Sequence, residues 1–128
     1  MSDKFTVEII SPDQTILKQE TTEVIIPSFE GQMGILNNHI PLITFLRPGI
    51  ITIKTEGEKK YYVEEGTVEF SNNNLLILTS TARDVAYLDK SKINDLLQKA
   101  EANLKTQSSD KERYVASYKL ETLKEISQ

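Results

Sequence analysis

The chain has no cysteine, no tryptophan and one histidine among 128 residues. Without cysteine there are no disulfides, no thiolate nucleophiles and no zinc–sulfur sites. A single histidine excludes every paired-histidine metal motif, so no metal is expected. Long hydrophobic runs are missing as well. The longest, such as Leu75-Leu76-Ile77-Leu78, span a few residues, whereas a membrane-crossing helix needs roughly 20, so no direct membrane insertion is expected. Met1-Ser2-Asp3-Lys4-Phe5 reads as neither a signal nor a transit peptide. Fifteen basic against nineteen acidic side chains leave a net charge of −4. A phosphate backbone is met by clustered cations, so no nucleic-acid partner is expected.

Glycine and proline are present but confined. All four prolines and all five glycines lie in the first 66 residues, and none follows. The net charge is −5 over residues 1–88 and +1 over residues 89–128. Both shifts predict a boundary at Leu88-Asp89, with an all-β sandwich or barrel over 1–88 and a helical hairpin over 89–128. Phe5, Val7 and Ile9 alternate as in a half-buried strand. Thr22 to Ile26 predicts a strand stopped by Pro27. Hairpins are predicted for 50–55 with 60–64, across Glu56-Gly57, and for 67–70 with 75–79, across Asn72-Asn73-Asn74. Residues 83–88 predict one more strand.

After Leu88 the period changes to helical. Asp89 is a good N-cap, and Ile93, Leu96, Leu97, Ala100 and Leu104 mark one apolar face. Thr106 to Asp110 is a polar break, and Ser109 with Glu112 spells a capping box for a second helix. That helix carries Val115, Tyr118 and Ile126 on one line and Ala116, Leu120 and Leu123 on its neighbour. Such a hairpin offers few large apolar side chains, each contributing roughly 1.5–3 kcal/mol when buried. A hinge over residues 86–90 is one reading and a fixed C-terminal appendage the other.

Catalytic constellations are scarce. His39, in Asn37-Asn38-His39-Ile40-Pro41, has no G-x-S-x-G elbow to serve, and a lone histidine beside proline is usually a structural hydrogen-bonder. Gly31-Gln32-Met33-Gly34 is too short for a phosphate loop and predicts a small turn. Glu64-Glu65 and Glu56 with Glu58 read as solvated charges near turns, and the five tyrosines read as packing residues. The residues themselves leave open a partner-binding subunit, which should expose an apolar patch, and a free-standing ligand-binding β-domain. An enzyme acting alone is disfavoured, and no catalytic residue is assigned.

Residues 31–49 also carry an ordered pattern: Gly31, Gly34, Ile35-Leu36, His39, Pro41-Leu42 and Pro48-Gly49. It closely resembles the epsilon subunits of F-type ATP synthases, counterparts of the mitochondrial delta subunit. The similarity extends through Val7 to Pro12, Tyr62 to Glu69 (where Glu65 replaces a glycine) and Leu78 to Ala82. The resemblance implies a non-catalytic rotor subunit of the central stalk. Its partners would be the gamma subunit and the c-subunit ring, on the cytoplasmic face of a bacterial inner membrane. Gly31, Gln32, Met33, Gly34, His39 and Pro41 would lie in the ring and gamma contacts, with Gln32 where many members have an acid. Some members bind ATP at the start of the first helix. The matching residues here are Leu88, Asp89 and Lys92, with Arg113 on the second helix. Lys92 stands for an arginine and Ile93 for an alanine, so tight ATP binding is not expected and no cofactor is assigned. Lys111, Arg113, Lys119 and Lys124 would be the inhibitory contacts to the catalytic alpha/beta head, diluted by Glu112, Glu121 and Glu125.

Overall fold

The computed structural model describes residues 3–106 and 109–127. Ten strands come first: β1 (Phe5–Ile10), β2 (Thr15–Thr21), β3 (Glu23–Ser28), β4 (Gly31–Leu36), β5 (Leu42–Leu46), β6 (Gly49–Lys54), β7 (Glu58–Val63), β8 (Gly66–Ser71), β9 (Asn74–Leu78) and β10 (Arg83–Asp84). Two helices follow, α1 (Lys90–Thr106) and α2 (Asp110–Ile126). Across the sheet the order is β10-β7-β6-β3-β5-β8-β9-β1-β2, with β4 attached to β3. Among the described residues, only β1 and β9 pair in parallel.

This sheet curls around one core, and period-2 alternation decides who enters it. Phe5, Val7 and Ile9 of β1 are buried, as are Val24 and Ile26 of β3, Ile51 and Ile53 of β6, and Leu75 and Ile77 of β9. Phe5 meets Phe70 edge to face, with ring centroids 5.6 Å apart. In β7, Tyr61 and Val63 belong to this core, so Tyr62 faces the other way. Tyr62 is nevertheless 0% exposed. It sits in a second cluster with Leu96, Ala100 and Leu123 of the helices, flanked by Ile50 of β6.

Both helix starts are capped as their sequences predict. Asp89 Oδ1 accepts from Lys92 N at 2.7 Å, and Ser109 Oγ accepts from Glu112 N at 3.1 Å. The buried face of α1 is Ile93, Leu96 and Ala100. On α2 it is Ala116, Thr122 and Leu123, with Leu120 and Ile126 packed against the Tyr62 cluster and Tyr118 set against Arg47. Of the polar break between the helices, Gln107 and Ser108 lie outside the described residues.

Several expectations need correction. Pro27 does not stop β3, which continues to Ser28. On one edge β3 pairs with β6 over Glu23–Ile25 and with β5 at Ser28. Pro27 falls in the gap, where its missing N–H costs no ladder bond, and its carbonyl still accepts from Arg47 N at 3.0 Å. The Gly31–Gly34 stretch is not a turn but the body of β4; the turn precedes it and closes on Gly31 at φ 122°. Residues 83–88 hold only the two-residue β10, because the Asp84 side chain accepts from Ala86 N and caps a one-turn 3-10 helix at Val85–Tyr87. Strands β2 and β5 lack a clean apolar alternation, and no expectation from the sequence covers them. The turn at Asn72-Asn73 is a two-residue one, with φ 52° and 57°, and Asn74 already belongs to β9.

Gly49 shows how tightly the β3–β6 corner is built. A Cβ there would lie 2.5 Å from Pro27 Cβ and 2.8 Å from its Cγ. Gly49→Ala should therefore lower stability by about 1–3 kcal/mol in urea titration. Gly57→Ala, with nothing within 4 Å, should change it by less than about 1 kcal/mol. Equal effects would show that the corner has room to relax.

Candidate functional site

The residues singled out on and beyond β4 do not form one contiguous patch. Ser28 Oγ donates to Gly31 O at 2.6 Å and accepts from Glu30 N at 3.2 Å, which shapes the turn entering β4. Gln32 and Gly34 are exposed, and Met33 packs against the core. His39 and Pro41 lie past the other end of β4, roughly 17 Å along the strand from Gly31. There Asn38, at φ 64°, is clamped to the β8–β9 turn. Its N–H donates to Asn73 Oδ1 at 2.8 Å, and Asn73 Nδ2 donates to Asn38 Oδ1 at 3.1 Å. The His39 ring makes a 2.8 Å bond from Nδ1 to the Ile40 carbonyl, which requires Nδ1 to carry the proton. Its edge-to-face partner is Phe70, at 5.9 Å. These are structural contacts of a half-buried ring.

An apolar surface lies between these two ends. Ile43 is 74% exposed and Phe45 59%, on the same outward face of β5, beside Phe29 and Leu78. Phe29, Phe45, Leu78 and Thr67 line one open hollow of about 710 Å³ together with Lys111 of α2. Ile40 (74%) and Leu36 (55%) extend the apolar exposure toward the His39 end. A partner-binding subunit requires such a patch, but the sequence alone does not place it, because β5 carries no clean alternation that marks it as a strand.

The seam between helices and sheet is polar at one edge. Tyr62 Oη donates to Glu64 Oε2 at 3.0 Å, and Glu64 Oε1 pairs with Lys119 Nζ at 3.3 Å. Glu64 is thus engaged rather than solvated, and its neighbour Glu65 accepts from Ser80 Oγ at 2.9 Å. Tyr87 departs from its expected packing role in the opposite sense, being 86% exposed.

Of the residues matched to an ATP site, Leu88, Asp89 and Lys92 lie together at the entry to α1, and Arg113 stands apart on α2. Leu88 packs against the Tyr62 cluster, and Asp89 is occupied as the cap of α1. Arg113 stands near the start of α2, which runs back along α1. Its neighbours Lys111 and Glu112 share a hollow with Asn103. Asn103 is roughly 20 Å of helix away from Asp89. Of the four cations named on α2, Lys111, Arg113 and Lys124 are exposed, while Lys119 is turned to Glu64. Among the described residues, no group of three or more His, Asp or Glu is placed to hold a metal.

A sequence model described as "ATP synthase, Delta/Epsilon chain, beta-sandwich domain" matches residues 4–85. The chain is 47% identical over 130 aligned positions to an ATP synthase epsilon chain of Pelagibacter ubique, covering 99% of this chain and 100% of that one. It is 38% identical to the epsilon chain of Dichelobacter nodosus, over 83% and 76% of the two chains. A chloroplastic epsilon chain of Pyropia yezoensis is 36% identical over 89% and 86%. In fold, the chain resembles one in the Euglena gracilis mitochondrial ATP synthase OSCP/F1/c-ring structure, at TM-score 0.80 and 22% identity, covering 100% and 84%. A chain in the Tetrahymena thermophila central stalk/c-ring structure gives TM-score 0.69 at 15% identity, covering 96% of each.

The buried seam predicts an alkaline sensitivity. Burial first, then the Glu64 carboxylate and the hydrogen bond to it, hold the Tyr62 phenol well above its ordinary 10.0, and Arg83 offsets this in part. The unfolded chain loses this proton near pH 10.0 while the folded chain keeps it. Stability is therefore full below that pH and falls as pH rises beyond it. Tyr62→Phe should cost about 1 kcal/mol at pH 8 through the lost hydrogen bond, yet flatten the decline above pH 10. Part of the decline should remain, since burial and then Asp84 and Tyr87 also raise Tyr61. Urea midpoints at both pH values measure this, and an undiminished decline in the variant would contradict it.

Proposed function

The chain belongs to the ATP synthase delta/epsilon family, and from that premise we propose that it is the non-catalytic rotor subunit joining gamma to the c-subunit ring. In this role it transmits torque between proton translocation in the ring and ATP synthesis in the head. The observation that carries the reading is the exposed apolar face of Ile43, Phe45, Phe29 and Leu78. A surface of this kind is costly in water and is normally covered by a protein partner. Gamma is assigned to it, and the Gly31–Gly34 strand and the His39 loop contribute the ring-facing ends.

No described helix is long and apolar enough to cross a membrane. The proposed membrane association is therefore peripheral, through the ring, on the cytoplasmic face of a bacterial inner membrane. Residues 1–88 form the docking body in this reading and residues 89–128 a regulatory arm. Since Lys119 is paired within the chain and Arg113 stands far from Asp89, the arm is assigned neither tight ATP binding nor strong inhibition of hydrolysis.

Two measurements test the reading. The chain should co-elute stoichiometrically with a catalytic head that contains gamma but lacks its own epsilon. Ile43→Asp with Phe45→Asp should lower that affinity at least about tenfold, as expected when charge is forced into an apolar contact. Separate elution at micromolar concentration would remove the functional content of the assignment. In the assembled enzyme, deleting residues 89–128 should change ATP hydrolysis by less than about threefold, under 1 kcal/mol of inhibitory contact. A larger relief would make the arm a strong inhibitor.

A further inference from the structure

Arg47 lies in the short link between β5 and β6, and no sequence motif singles it out. Its guanidinium carbon stands 3.9 Å from the centroid of the Tyr118 ring. Its Nη1 donates to Tyr114 Oη at 3.2 Å. The two tyrosines, one turn apart on α2, meet edge to face at 4.7 Å. On Tyr114, Phe29 is stacked at 5.7 Å with an interplanar angle of 21°. Phe29 belongs to the turn between β3 and β4.

The β side of this constellation is tied together by backbone. Arg47 N donates to Pro27 O at 3.0 Å, and Phe29 N donates to Phe45 O at 3.1 Å. The turn at Ser28–Gly31 and the Arg47 link therefore move as a unit. Their grip on α2 is made by side chains. A guanidinium over a tyrosine face is most favourable where water is excluded, and its planar fork is what lets it stack and donate together. The grip also carries a penalty: Arg47 Nε is buried with no hydrogen-bond partner. Releasing α2 would return that donor to water, so the contact is balanced rather than locked.

We propose that Phe29 and Arg47 form a latch that couples the shape of the Ser28–Gly31 turn to the docking of α2. A displacement of the turn that lifts Phe29 from Tyr114, or Arg47 from Tyr118, loosens the helix. The Lys119–Glu64 pair, one residue beyond Tyr118, then remains as a second tie. Departure of the helix, in turn, frees the turn. By linkage, whatever binds the turn shifts docking by the same factor that docking shifts its affinity. The latch stands on the geometry of this chain alone; only the identity of what binds the turn rests on the stalk reading.

Because the chain has no cysteine, spin labels can be placed at will. Thr67→Cys on β8 and Lys111→Cys on α2 mark two positions that line one hollow when the helix is docked. The label–label distance in the full isolated chain reports docking, and amide exchange across β1 to β9 reports whether the sandwich is intact. Arg47→Lys keeps the charge but loses the planar stack. It should raise the undocked-to-docked ratio about fivefold or more, with the sandwich still protected. Phe29→Ala, made on the turn side, should act in the same direction. An unchanged distance distribution in Arg47→Lys would overturn the latch, and that variant decides should Phe29→Ala unsettle the sandwich. Since this readout needs no partner, its failure would leave the co-elution result standing, and failure of co-elution would leave the latch standing.

Discussion

A sheet strand has two faces, and over the Tyr61, Tyr62 and Val63 half of β7 neither is given to water. Tyr61 and Val63 enter the sandwich core, which forces Tyr62 to the outer face beside its cross-strand partner Ile50. An uncovered tyrosine–isoleucine pair there would be a small apolar patch, and the helical hairpin is what covers it. Much of the C-terminal third follows from this one constraint. Leu96, Ala100 and Leu123 supply the apolar cover. Glu64 and Lys119 take care of the phenol that the cover traps. The run Tyr61-Tyr62-Val63, buried throughout, marks a strand covered on both sides.

That same run explains how far the sequence could be read. The strands with clean alternation or a clear turn, β1, β6, β7, β8 and β9, were legible because one physical rule dominated each. Helix starts were legible because caps act through atoms two or three residues away. What escaped depended on distant partners. Strand β2 (Thr15–Thr21) is largely polar and is held by its pairing with β1. Gly31-Gln32-Met33-Gly34 has turn-like glycines, but β3 lies alongside it for six residues and imposes an extended form. Pro27 read as a strand breaker because the gap between β6 and β5 that admits it exists only once the sheet is folded.

The candidate site shows the same division. The ordered pattern around His39 and Pro41 pointed to the family, since it records turns and close approaches local to residues 31–49. It did not reveal that Gly31 and His39 occupy opposite ends of one strand, a consequence of β4 being extended. Phe29, Arg47 and Tyr114 carried no motif at all. Their relation spans 85 residues of chain from Phe29 to Tyr114, and only the fold brings them together. The charge split at Leu88 was visible, but which cation would be used was not: Lys119 is engaged while Lys111 and Lys124 remain exposed.

Charge argues, finally, that docking of the hairpin is a local matter. The β body carries −5 and the hairpin +1, so their general attraction is slight. At physiological salt it decays over about 8 Å. Screening of this kind leaves contacts at the seam to decide the outcome. The apolar cover of Tyr62 is non-directional and tolerates sliding. The Glu64–Lys119 pair is short but partly wetted, with side chains 25% and 20% exposed, which limits its worth. The Arg47 stack is the most directional of the three, because a planar cation must lie over one ring and donate to another. It is also the contact that leaves a buried donor unpaired. Orientation of α2 on the sheet is thus fixed by the contact with the greatest internal cost, which is the arrangement expected of an element that docks without being locked.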